Sequence, residues 1–203
     1  MSKITVGIVD YGVGNHASVR HALHELDLRC RTSDDWAVLN ACDVLLLPGV
    51  GAFRPAMEAL LARSLDQYLL EQVHRNRPLL GICLGMQLLA DASHEDGLTP
   101  GLGLIPGEVI GLPLPHWHIG WNTIERIRAD PLFEPSEGQA FYFNHSYAYQ
   151  GPVEFQVCSS CAGDAFASVI RRDLVVGVQF HPEKSQGAGR ALLRRLIGGL
   201  CDA

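Results

Sequence analysis

Three glycine-rich turns, each closing a short apolar run, constrain the fold of this chain more than any other feature. Residues 4–10 lead into Tyr11-Gly12-Val13-Gly14-Asn15, and residues 44–47 into Pro48-Gly49-Val50-Gly51. Pro78-Leu79-Leu80 leads into Gly81-Ile82-Cys83-Leu84-Gly85. Helical spacing follows each turn, over residues 17–26, then 54–62 and 64–75, then 86–90, and a further strand is expected over 28–32. Strand, turn and helix in repeated order predict an α/β fold, a parallel sheet with helices on both faces. Reactive and binding groups in such sheets gather beyond the carboxyl ends of the strands, so the three turns are expected to share one rim.

The third turn carries chemistry. Its form is Gly-x-nucleophile-x-Gly, in which flanking residues without bulky side chains let the middle side chain project from a sharp strand-to-helix turn. The middle residue is Cys83, at a helix N-terminus where the dipole and free N–H groups favour an ionised sulfur. Far downstream, Gln179-Phe180-His181-Pro182-Glu183 supplies a base and a carboxylate. If that segment is extended, residues two apart point the same way, so Glu183 orients His181 while His181 handles the proton of Cys83. Oxyanion donors are expected from the N–H of Leu84 and from Gly49-Val50-Gly51, whose glycines let a peptide plane turn toward a bound carbonyl. A cysteine hydrolase or acyl-transfer centre follows. The bland readings are a buried small cysteine, a surface His-Pro-Glu turn and a plain strand-to-helix turn. The glycine bracket weighs against the first of these, and an exposed thiol gives the His-Pro-Glu segment something to do.

The rest of the chain bounds the setting. Its 203 residues are expected to form a single domain, 1–203, with 47% hydrophobic and 19% charged residues. A net charge of −6 argues against a nucleic-acid groove. No apolar run reaches the roughly 20 residues of a membrane span, and the N-terminus lacks a signal-peptide core, so the cytoplasm is expected. Cys158-Ser159-Ser160-Cys161 has no second pair to complete a zinc site, and His116 with His118 has no third ligand nearby, so no metal is expected. The turn at Tyr11–Asn15 lacks the third glycine of a dinucleotide loop and the Lys-Ser/Thr of a P-loop; no motif calls for a cofactor. Past a punctuated connection over 101–111, strands are expected at 121–128, 139–149, 153–158, 165–171 and 174–180, with antiparallel pairing, and a last helix at 189–198. Alternation within 142–147 sets Tyr142, Asn144 and Ser146 on one face and Phe143, His145 and Tyr147 on the other. A core strand and a polar substrate wall both fit that segment.

Together these pieces resemble the class I (triad-type) glutamine amidotransferases, and within them the glutaminase subunits of imidazole glycerol phosphate synthase, of histidine biosynthesis. The resemblance runs from Asp10-Tyr11-Gly12-Val13-Gly14-Asn15 through Pro48-Gly49-Val50-Gly51-Ala52-Phe53, Gly81–Gln87, Gly101-Leu102-Gly103-Leu104-Ile105, His118-Ile119-Gly120-Trp121-Asn122 and Tyr142–Tyr147 to Gly177–Ser185. It implies a flavodoxin-like amidotransferase fold, mainly parallel, with Cys83 as nucleophile, His181 as base and Glu183 orienting it. It also implies that Gln87, His145, Ser146 and Tyr147 hold glutamine, and that a peptide at Gly49-Val50-Gly51 flips to complete the oxyanion hole. A separate barrel-shaped cyclase is the implied partner. It would accelerate glutamine hydrolysis, receive the ammonia and form imidazole glycerol phosphate and AICAR, with Asn15, Trp121, Tyr142 and Lys184 near the contact. The length agrees, since no residues remain after these motifs for an ammonia-using domain. Three departures lie outside the triad: Trp117-His118-Ile119 where the family has Pro-His-Met, Asn144 for a usual valine, and His16 for an apolar residue. A paralogous subunit feeding another synthase, such as one for surface-sugar amidination, and a stand-alone cysteine hydrolase are the alternatives.

Overall fold

The structure is a computed structural model describing residues 4–113 and 116–202. In chain order the strands are β1 (Thr5–Val9), β2 (Arg29–Ser33), β3 (Val44–Gly49), β4 (Leu79–Cys83), β5 (Ala92–Ser93), β6 (Thr99–Pro100), β7 (Glu108–Gly111), β8 (His118–Thr123), β9 (Glu125–Arg126), β10 (Ala140–His145), β11 (Tyr147–Gln150), β12 (Gln156–Ala162), β13 (Asp164–Arg172) and β14 (Val175–Val178). The helices are α1 (His16–Glu25), α2 (Trp36–Asn40), α3 (Phe53–Leu61), α4 (Leu65–His74), α5 (Leu84–Gln87) and α6 (Gln186–Cys201).

The main sheet has eight strands in the order β2-β1-β3-β4-β14-β13-β12-β9. From β2 to β14 they run parallel, and β13, β12 and β9 add antiparallel. Strand periodicity divides the core between the two faces. Val6, Ile8, Leu46, Ile82 and Val178 point toward α1 and α6, where Val19, Leu23, Leu192 and Leu196 meet them. Leu45, Leu47 and Leu79 point the other way, toward Phe53, Leu60, Leu65 and Leu69 of α3 and α4. This is the mainly parallel, flavodoxin-like arrangement expected from the sequence.

Two small sheets complete the fold: β10 paired with β8, and β11-β7-β5-β6. Here the structure departs from the expected elements. The strand expected over 139–149 breaks at Ser146, because β10 and β11 enter different sheets. The alternation holds from Tyr142 to His145 and ends there. Residues 153–155 form a 3-10 turn before β12, and the connection over 101–111 contains β7. Helix α2 was not expected; it is only five residues long and starts where the Asp35 side chain accepts from the N–H of Ala37 at 2.7 Å.

Candidate active site

The three turns do meet on one rim. Parallel register sets Gly49 beside Cys83 at the ends of β3 and β4. The buried Tyr11 hydroxyl, just past β1, donates to the carbonyl of Pro48 at 2.7 Å. Burial pushes the Tyr11 pKa up, and the neighbouring Cys83 adds to the effect.

Cys83 has φ 55° and ψ −113°, a backbone conformation that side-chain-bearing residues rarely adopt. The turn is held there by contact rather than by glycine flexibility. A Cβ on Gly85 would lie 1.9 Å from the carbonyl oxygen of Leu47, and one on Gly49 would lie 2.5 Å from the nitrogen of Gly85. The helix expected over 86–90 starts earlier and ends sooner: α5 spans Leu84–Gln87, and beyond it Leu89 and Ala90 bond to carbonyls three residues back. A single turn has a small macrodipole, so α5 offers the sulfur little of the field a long helix would supply.

Opposite Cys83 lies His181, whose N–H donates to the carbonyl of Tyr142 on β10 at 2.8 Å. Residues Pro182–Lys184 form a 3-10 turn, not the extended segment expected, because Pro182 fixes the first position of the turn. The turn still brings Oε1 of Glu183 within 2.7 Å of Nδ1 of His181, with both side chains 2% exposed. Burial by itself pushes His181 down. Hydrogen bonds to Cys83 and Glu183, and their charges, outweigh it and raise the pKa to about 9. Such an imidazole keeps a proton available at neutral pH beside the Cys83 sulfur. The Cys83 Sγ also lies 3.8 Å from the carbonyl oxygen of Asn144.

A cleft of about 240 Å³ opens onto the sulfur. Val50, Gly51, Leu84, Gln87, His145, Ser146, Tyr147 and His181 line it with Cys83, and Gly49 lies just behind. Gly51 has φ +97° and nothing within 4 Å of where a Cβ would stand, so the turn has open space on that side. Burial pushes His145 down to about 4, so its ring is neutral. Asn144 and Glu95 line the cleft as well, and sequence reasoning gave neither a site role. Glu95 accepts from the N–H of Phe53 at 2.8 Å, capping α3, whose Ala52 offers no side-chain cap. That uncapped Ala52 before an apolar helix was the one signal that a distant side chain was needed.

Trp121, Tyr142 and Lys184 form a separate cluster. The rings of Trp121 and Tyr142 meet edge-on at 6.1 Å, and the Lys184 ammonium stands 6.0 Å from the Tyr142 ring centre. Trp121 is 51% exposed, beside Ile119 at 62%. Asn15 is at the start of α1, the helix that packs on the turn holding Lys184, and its side chain accepts from the N–H of Ser18 at 3.2 Å. A larger open groove of about 860 Å³ between α1 and β2 contains none of the cleft residues. Cys158 is buried, its thiol pushed up to about 12 by that burial, whereas Cys161 is exposed; both are free thiols. Among the described residues no His, Cys, Asp or Glu group is arranged to hold a metal, and no helix is long and apolar enough to cross a membrane.

Residues 7–197 match the family described as Glutamine amidotransferase class-I. The chain is 46% identical to imidazole glycerol phosphate synthase subunit HisH of Symbiobacterium thermophilum, over 96% of this chain and 94% of that protein. It is 42% identical to the protein of the same name in Exiguobacterium sibiricum, over 98% and 97%. Among solved structures it resembles a glutamine amidotransferase from Thermotoga maritima, with a TM-score of 0.74 at 15% identity, covering 100% of both chains. PurLQS from the same organism gives a TM-score of 0.76 at 17% identity, covering 98% of this chain and 100% of that one.

Proposed function

The chain belongs to the class I glutamine amidotransferases, and we propose that it is the glutaminase subunit of an imidazole glycerol phosphate synthase. On this reading one amidotransferase domain, working in the cytoplasm, hydrolyses L-glutamine and passes ammonia to a cyclase partner. The observation that carries it is a single cleft in which a cysteine on a strained turn faces a histidine 2.7 Å from a carboxylate. Near-full-length identity to proteins named as that subunit supports it.

In the proposed reaction the Cys83 sulfur attacks the side-chain amide carbon of glutamine, and the carbonyl electron pair moves to oxygen. The N–H of Leu84 and the turn at Gly49-Val50-Gly51 take up that negative charge. His181 passes its proton to the amide nitrogen, the C–N bond breaks, and ammonia leaves with the acyl group on sulfur as a thioester. Water then adds as His181 accepts its proton; collapse releases glutamate and restores the sulfur. Glu183 holds the imidazolium in place throughout. Gln87, His145, Ser146 and Tyr147 hold the substrate, and the Glu95 carboxylate suits its α-ammonium group. The cyclase docks across Asn15, Trp121, Tyr142 and Lys184, an assignment favoured by the exposed Trp121 and Ile119.

The test is glutamine turnover in the presence of the cyclase and its ligand. Cys83→Ala should lower it at least about 1,000-fold with an unchanged circular dichroism spectrum. Substantial residual turnover in a folded variant would refute the thioester route.

A further inference from the structure

A continuous run of hydrogen bonds joins the outward-facing strand β8 to the nucleophile. Asn122 Nδ2 lies 3.2 Å from His118 Nε2, and His118 Nδ1 lies 3.2 Å from His145 Nε2. His145 Nδ1 lies 2.9 Å from the carbonyl oxygen of Tyr147. Gln87 Nε2 donates to that same oxygen at 2.8 Å and to Gln179 Oε1 at 3.1 Å. Gln179 Nε2 points at the Cys83 sulfur from 3.9 Å.

Chemistry fixes each donor and acceptor on this path, and the Tyr147 carbonyl accepts from both sides, from His145 and from Gln87. A carbonyl oxygen accepts, so His145 Nδ1 carries a hydrogen. A neutral His145 then accepts at Nε2, so His118 must donate from Nδ1 and accept at Nε2. Asn122 supplies that last hydrogen and gives its other one to the Cys161 carbonyl, 2.7 Å away. The two hydrogens of Gln87 and the two lone pairs of the Tyr147 oxygen are likewise all in use. Burial holds His118 and His145 low, which suits the neutral rings this pattern requires. His145 is 7% exposed, Gln87 5% and Gln179 0%, so water has little access to replace a lost link. Rings brace the path: His118 packs on Phe143 at 4.7 Å, and Phe166 meets His145 at 5.0 Å.

We propose that His118 is a positioning residue: it fixes the tautomer and ring of His145, and through Tyr147, Gln87 and Gln179 it sets the hydrogen bonding around the Cys83 sulfur. This deepens the proposed function and rests on its assignment of Cys83 as the reacting thiol. Strand β8 alternates His118 and Asn122 facing inward with Ile119 and Trp121 facing out. A displacement of its outer face therefore reaches the cleft through side chains rather than through the main sheet.

The test is the rate at which iodoacetamide alkylates Cys83 at pH 7, read by mass spectrometry on the peptide that holds it, with Cys83→Ala as control. His118→Leu should slow alkylation at least about fivefold and raise the glutamine KM, because Gln179 no longer holds its donor on the sulfur. His118→Asn keeps a donor near the place of Nδ1 and should return the rate to within about twofold of the parent. Asn122→Leu, on a half-exposed strand, lets His118 take the other tautomer and should slow alkylation about twofold to threefold. Folded His118→Leu protein reacting at the parent rate would overturn the proposal, as would an asparagine variant no better than the leucine one. Alkylation does not depend on glutamine. A reactive Cys83 without glutaminase turnover would therefore remove the proposed function and leave this result standing.

Discussion

The two walls of the cleft are built differently. The sheet wall, β3 and β4 with their turns, is set by backbone packed on backbone: Gly49, Gly85 and Leu47 leave no room for a methyl group. The other wall is β10 in a two-stranded ribbon with β8, and it reaches the cleft through side chains and a few specific bonds. A two-stranded ribbon has little stability of its own and depends on what it packs against. The sheet wall holds the Cys83 sulfur in one place, while the ribbon wall presents its side chains to the cleft on contacts that can be exchanged.

The contrast is broken most severely by glycine substitution. Gly85→Ala should prevent folding or destabilise by more than about 4 kcal/mol, because backbone would have to move away from backbone. Gly120→Ala in the ribbon meets nothing within 4 Å and carries only the strain of φ +140°. It should cost about 1–3 kcal/mol and leave a folded protein. Urea melts of the two variants compare them directly; equal losses would remove the distinction between the walls.

Glu183→Gln comes next. It keeps the shape of the pair but removes the charge that holds the His181 imidazolium, and turnover should fall roughly 100-fold to 10,000-fold. An unchanged rate would mean that Glu183 does not orient the base.

The smallest effect is in stability against pH. His181 binds its proton more tightly folded, about 9 against 6.5, so its contribution is complete below about 6.5 and fades as pH rises through 9. His145, at about 4 against 6.5, refuses folded a proton that it accepts unfolded, so stability also fades as pH falls from 6.5 toward 4. The thermal midpoint should therefore peak near pH 6.5, with Cys83→Ala flattening the alkaline limb. An alkaline limb equally steep in that variant would disconnect His181 from the sulfur.

The same contrast marks how much could be read from the sequence. The sheet wall was legible because its signals are local: apolar runs, glycine turns and helical spacing within a few residues of one another. Cys83 and the turn at Gly49–Gly51 came from that pattern, and so did the parallel order. The ribbon wall depends on partners far apart in the chain. The break at Ser146 follows from β10 and β11 joining different sheets, which no window of residues around Ser146 records. His118 fell outside the strand expected over 121–128, and its hydrogen-bond partner His145 lies 27 residues away. Glu95 sits 42 residues from the Phe53 nitrogen it caps. The 3-10 turn after His181 is different, since Pro182 was there to be read and its fixed φ argued against an extended segment.

The backbone at Cys83 carries a consequence for how such a chain can change over time. Holding a non-glycine residue at φ 55° costs of the order of 1–3 kcal/mol, which the surrounding contacts must offset. Glycine at this one position would relieve that strain and, under the proposed mechanism, end turnover. Pressure toward sturdiness and pressure toward turnover therefore oppose each other at residue 83, and the tight neighbours Gly85 and Leu47 show which of the two this fold answers to.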